Sequence, residues 1–274
     1  MTVSPDTFAR CLAGSPIRRL AAFTVLVLAL EAATFLAGFG RHVTPFVLVL
    51  IPPVVALLVT AAGSGAAAVR SLVGRMGRWR VGWVWYLAAI GIPVVEKVIV
   101  DLAGVVAGVT TPDRLAGAVS GSALLVPLVV LVPALLEELG WRGFAVQTAV
   151  DGGRSPAWAA AVVGAVFVLL HIPLYLPGQL YDGLPGWPLP ITLLSGAVLL
   201  TWVYLRTRSA LLAGLMHAAL NATVPLTWGL DPSWVWQARA VVLAVIAAVV
   251  VIASGRWWLA RPPATPDEQL GVQR

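Results

Sequence analysis

Six polar residues interrupt long apolar runs of this sequence: Glu137, Glu138, Arg142, His171, His217 and Asn221. A charged side chain at the centre of a bilayer costs roughly 2.5–3.5 kcal/mol on insertion scales, so residues of this kind mark a buried site. Two carboxylates, two imidazoles, a guanidinium and an amide can activate a water and hold an oxyanion, the chemistry of peptide-bond hydrolysis. Glu138 and Arg142 are i, i+4 neighbours on a helix and can neutralise one another. Glu137 points about 100° away from Glu138. It is left without that partner, which suits it to work as a general base. His217 and Asn221 share a second helix face at i, i+4, and His171 closes a third apolar run just before Pro173. Pro133 removes a backbone donor four residues before Glu137 and predicts a bend close to it.

The elements that must carry these groups are membrane spans. Only 11% of the 274 residues are charged while 59% are apolar, and mean hydropathy is +0.92. Soluble domains carry about 25% charged residues, so the bulk of this chain belongs in lipid. Eight apolar runs are long enough to span: about 20–39, 43–68, 81–108, 117–150, 156–177, 189–205, 209–228 and 237–258. Pro45, Pro52 and Pro53 weaken the start of the second. At ~1.5 Å of rise per residue, Glu137 lies roughly 20 Å from its cytoplasmic end, His171 roughly 22 Å, His217 roughly 14 Å and Asn221 roughly 20 Å. Three helices therefore present polar groups at comparable depths.

The net charge of +6 follows the membrane and is no nucleic-acid signal. Arg10, Arg18 and Arg19 precede the first run, and Arg70, Arg75, Arg78 and Arg80 crowd the second connection. Arg154, Arg206, Arg208, Arg256 and Arg261 continue the same alternation, while the opposite side holds Arg41, Arg114 and, near one edge, Arg239. This bias places both termini in the cytoplasm. Tryptophans such as Trp79, Trp83, Trp187, Trp228 and Trp257 fall near run ends, as an interfacial belt requires. The first run is read as a retained span, and Cys11, the only cysteine, excludes an internal disulfide or a thiolate metal cluster. In the third run Lys97 and Asp101 can pair at i, i+4 beside Glu96; Glu31 in the first run has no evident partner, and His42 sits at a span edge.

Taken together, Glu137-Glu138-x-x-x-Arg142, Phe167-x-x-x-His171 and His217-x-x-x-Asn221 resemble, in order and spacing, the three motifs of the CPBP family. That family comprises the CAAX proteases and bacteriocin-processing (Abi) enzymes, with the Ras-converting endopeptidases as eukaryotic members. The resemblance implies an all-α polytopic bundle. Residues 1–19 would be a cytoplasmic segment and 20–115 three N-terminal spans. A catalytic four-helix core would occupy 116–228, a last span 229–260, and a disordered cytoplasmic tail 261–274. It further implies that Glu137 and His171 activate water, that His217 and Asn221 bind the oxyanion, and that Glu138 and Arg142 support them. Glu137, His171 and His217 also make up the two-His, one-carboxylate set of a catalytic zinc. No His-Glu-x-x-His is present, so the chemistry is read as metal-free, with one divalent metal (zinc) as the open alternative.

The expectation is thus an intramembrane endopeptidase of a multi-pass, bacterial-type inner membrane protein. Its partners would be the lipid bilayer and a membrane-associated peptide or protein substrate, in peptide or bacteriocin maturation or in immunity. The alternatives are a non-catalytic membrane adaptor or immunity factor and, behind it, a proton-coupled transporter, against which stands the lack of an internal repeat.

Overall fold

The computed structural model describes residues 15–37, 47–118, 126–223 and 230–260. Cys11, the Arg41–His42–Pro45 stretch, Trp228 and the polar tail lie outside them, with the expectations attached to each. Every regular element among the described residues is helical. In chain order these are α1 (Pro16–Leu36), α2 (Ile51–Gly74), α3 (Trp83–Val106), the short α4 (Pro112–Ala118), α5 (Val126–Glu138), α6 (Pro156–His171), α7 (Pro188–Thr207), α8 (Ala210–Thr223) and α9 (Pro232–Ser254). Five of them, α1, α2, α6 with its 3-10 extension Ile172–Tyr175, α7 and α9, are long and apolar enough to cross a membrane. α3, α5 and the shorter α8 fall in the three remaining apolar runs. The chain is a multi-pass helical membrane protein.

Helix starts follow a shared local grammar. Ser15, Ser155 and Asp231 each precede a proline at the first helical position. Each side chain accepts a backbone N–H from the first turn, of Arg18 at 3.4 Å, Trp158 at 3.2 Å and Trp234 at 2.9 Å. The prolines expected to weaken the second span instead begin it. Pro52 and Pro53 occupy the first turn of α2, where no backbone donor is needed. Farther along α2, Gly65 takes φ 74°, a break in the helix that only glycine accepts without strain.

Directly after Glu138 the helix changes type. α5 runs through Pro133 to Glu138 and then widens into a π-helical turn, Leu139–Val146, before a last α-helical turn, Gln147–Asp151. All eight residues of the π-turn are buried. Gly140 lets the α2 backbone lie directly against it, since a Cβ there would meet the Pro52 carbonyl carbon at 2.7 Å. The Arg75 guanidinium donates to the Gly143 carbonyl farther along the same turn. Gly214 of α8 does the same for α5, where a Cβ would meet Leu135 Cα at 3.0 Å. Small residues at these two crossings bring the site helices together.

One apolar cluster gathers Phe23 and Val27 of α1, Val55 and Val59 of α2, Trp141 and Phe144 of the π-turn, and Val163 of α6. A second joins Ala89 of α3, Leu199 and Val203 of α7, Met216 of α8 and Leu243 of α9. The opposite face of α9 exposes Val241, Val245 and Val249, the apolar outer stripe that lipid solvates. Because the Pro52 backbone cannot yield, Gly140→Ala is expected to cost about 1–3 kcal/mol of overpacking strain. Gly74→Ala, which meets nothing within 4 Å, serves as the matched control. Thermal unfolding of both variants in detergent checks this: the first transition falls and the second does not.

Candidate active site

The site is built on the last turn of α5 and on α8. Glu138 is fully buried. Its Oε1 accepts from Arg142 Nη1 at 2.7 Å and from His217 Nδ1 at 2.9 Å. The i, i+4 pair expected from spacing is present, and α8 adds a second donor to the same oxygen. Oε2 of Glu138 has no hydrogen-bond partner among the described residues. His217 spends Nδ1 on this carboxylate, which leaves Nε2 as the ring atom free for other work.

Ser209 holds the start of α8. Its hydroxyl accepts the Leu212 N–H at 3.2 Å and donates to the Arg78 carbonyl at 2.7 Å. The Ala210 N–H reaches the Arg75 carbonyl at 3.1 Å. The basic connection after α2 therefore anchors α8, and the Arg75 side chain anchors the π-turn.

His171 ends α6. Its Nδ1 lies 2.8 Å from the Phe167 carbonyl, which can only accept, so Nδ1 carries the proton and Nε2 keeps its lone pair. The Phe167 ring packs near both imidazoles, its centroid 4.4 Å from His171 and 6.1 Å from His217. Trp141 closes on Phe167 edge-to-face at 5.5 Å, and Phe23 of α1 backs Trp141 at 5.6 Å. Phe23, Trp141 and Phe167 thus form an aromatic wall beside the polar groups. Glu137 takes no part in the Glu138 bonds; its electrostatic neighbours are His217, Glu138, Arg142 and the Trp141 indole. Asn221 lies one turn beyond His217 on α8 and is exposed.

Two residues enter the site that sequence reasoning did not assign to it. Glu31, left without a partner above, is buried on the α1 face that carries Phe23 and Val27, and lies within electrostatic range of Glu137. The i+4 and i+8 spacing from those two core residues was the available signal. Tyr181, in the connection between α6 and α7, stacks over His171 with centroids 6.3 Å apart and planes 16° from parallel. Nothing in its local sequence pointed there. Among the described residues no three His, Cys, Asp or Glu side chains converge at ligand spacing. Glu137, His171 and His217 are therefore neighbours that, as arranged, do not meet at ligand spacing.

Residues 119–223 match the family model described as type II CAAX prenyl endopeptidase, Rce1-like. That stretch holds all three motifs, so the resemblance carried by the motifs is shown over the segment that carries the site. No curated protein matches the chain.

The shared carboxylate makes a distinctive stability pattern expected. Glu138→Gln strands the buried Arg142 charge and should cost about 3–5 kcal/mol, whereas Glu138→Leu combined with Arg142→Met should recover most of that loss. Chemical denaturation in mixed micelles compares the two, and equal losses would contradict a charge-pairing role.

Proposed function

We propose that the chain is an intramembrane endopeptidase that hydrolyses a peptide bond of a membrane-associated substrate. One observation carries this reading above the others. The Glu138–His217 hydrogen bond of 2.9 Å joins the first and third motifs across helices, and the Phe167 ring of the second motif packs near both imidazoles. The match to an endopeptidase family over the same residues supports it.

In this mechanism a water donates one proton to the Glu137 carboxylate while its oxygen attacks the scissile carbonyl carbon. His171 Nε2, fixed as an acceptor by the Phe167 carbonyl, orients that water. The carbonyl oxygen becomes an oxyanion and is held by Nε2–H of His217 in its imidazolium form, which Glu138 stabilises, and by the Asn221 amide. Collapse of the intermediate breaks the C–N bond, and Glu137 returns its proton to the leaving amine. The low polarity of the aromatic wall strengthens each of these electrostatic contacts. Glu138 and Arg142 hold His217 without touching the substrate. The setting we attach to this activity is peptide maturation or self-immunity in a bacterial inner membrane. Lipid-modified CAAX termini, which the family description names, are not carried over to this chain.

The decisive comparison is of peptide termini in membranes from cells making wild-type protein or Glu137→Gln. New termini are expected with wild-type alone, and His171→Ala should abolish them equally. Identical termini from folded, equally abundant proteins would instead favour a non-catalytic adaptor. A further expectation concerns metal: chelation of the purified enzyme should leave the cleavage rate unchanged. Stoichiometric zinc that is lost in His171→Ala would contradict it.

A further inference from the structure

Arg239, which looked interfacial from its position in the last run, is buried at 4% exposure and faces the bundle. Its guanidinium touches three partners on two other helices. Nη1 donates to Thr223 Oγ1 at 2.9 Å, Nη2 donates to the Leu220 carbonyl at 2.5 Å, and Nε stands 3.8 Å from Glu96 Oε1 of α3. Thr223 accepts from Arg239, and its own proton can go to Glu96 Oε2 at 3.2 Å or to Leu220 at 2.8 Å. Leu220 and Thr223 lie in the last turn of α8, whose final carbonyls have no partner inside the helix. A cation there satisfies a carbonyl and complements the helix dipole. Leu220 directly precedes Asn221, and the same short helix carries His217.

One turn earlier on α9, Trp236 faces the other wall. Its indole Nε1 donates to the Tyr175 hydroxyl at 2.8 Å, and its ring lies 4.9 Å from Tyr181. Tyr181 in turn stacks on His171. Tyr175 donates to the Pro185 carbonyl at 3.2 Å, which closes the connection after α6 on itself. A single turn of α9 therefore grips both elements that present the histidines. Its two gripping residues lie beyond Thr223, where the family match ends.

A buried ion pair between α3 and α9 is an expensive way to hold helices that apolar packing already joins. What it adds is direction: a guanidinium fork binds only if α8 stands at one height and one rotation. We propose that the Trp236–Arg239 turn of α9 is a clamp that sets the spacing of the reactive centre, Arg239 positioning His217 and Asn221 on α8 and Trp236 positioning His171 through Tyr181. This rests on the reading that these groups act together.

The chain has three histidines, so the imidazole spectrum of full-length protein labelled with 15N-histidine is readable one residue at a time. Arg239→Lys keeps the charge opposite Glu96 and loses the fork; Trp236→Phe keeps the ring and loses the N–H. Arg239→Lys is expected to move the His217 signals and leave His171 in place, and Trp236→Phe to do the reverse. If Arg239→Lys does not fold, Glu96→Gln takes its place with the same expected shift. Folded variants whose histidine signals all match wild-type would overturn the clamp.

Activity gives an independent arm, read on a peptide taken from the wild-type-dependent termini. Arg239→Lys should lower kcat roughly 10- to 100-fold with KM retained. Added to Asn221→Ala it should cost less than the product of the two single losses, because part of its effect runs through Asn221. Fully multiplicative losses would count against positioning. If the wild-type protein cleaves nothing, the hydrolytic reading fails while the histidine spectrum still decides the clamp.

Discussion

The structure depends on one carboxylate buried where water cannot solvate it. Glu138 is tolerable in the bundle because Arg142 and His217 both donate to the same oxygen. Meeting that requirement dictates the geometry around it. α8 must come close enough to α5 for an imidazole to reach, which Gly214 permits by lying on the Leu135 backbone. The chain must also return Arg142 to the same face, which it does within a π-helical turn packed on α2 through Gly140. π-turns recur at functional sites, and here one begins directly after the two motif glutamates.

Lipid offers polar groups no alternative partner, so the remaining charges pair inside the bundle. Lys97 joins Asp101 on one face of α3 while Glu96, next in sequence, turns inward to Arg239. The outer helices are consequently more than surroundings of the motif-bearing helices. α1 brings Glu31 and the Phe23 ring behind Trp141, and α9 ties down the end of α8. Glu137 stands apart from this economy of pairs. Of the two motif carboxylates it is the one left out of the Glu138 hydrogen bonds, the condition that the proposed proton transfer sets.

How much of this was readable beforehand depends on the range of each interaction. Helicity, the apolar runs and the pairs Glu138–Arg142 and Lys97–Asp101 were legible because a 3.6-residue period brings i and i+4 together in any helix. Pro52 and Pro53 marked an interruption at the start of the second run, but not which residue begins α2, because a proline is harmful or helpful according to which turn it occupies. The π-turn that follows Glu138 packs on α2, a contact that no local rule supplies.

By itself, then, the sequence determined an all-helical membrane bundle, three motifs on three helices, and the local pairs within each. Only the tertiary structure decided that Glu138 bonds a histidine 79 residues away, that Glu31 lies within electrostatic range of Glu137, and that Arg239 closes on α8. The reason is specific to lipid. In water, a helix shows its inward face by being apolar on one side, but here both faces are apolar and the pattern is silent about which one is buried. Val241 and Leu243 look alike in sequence, yet one is exposed and the other lies in the core. Which helices are neighbours, and at what rotation, is settled by the packing of small residues and by the search of buried charges for partners.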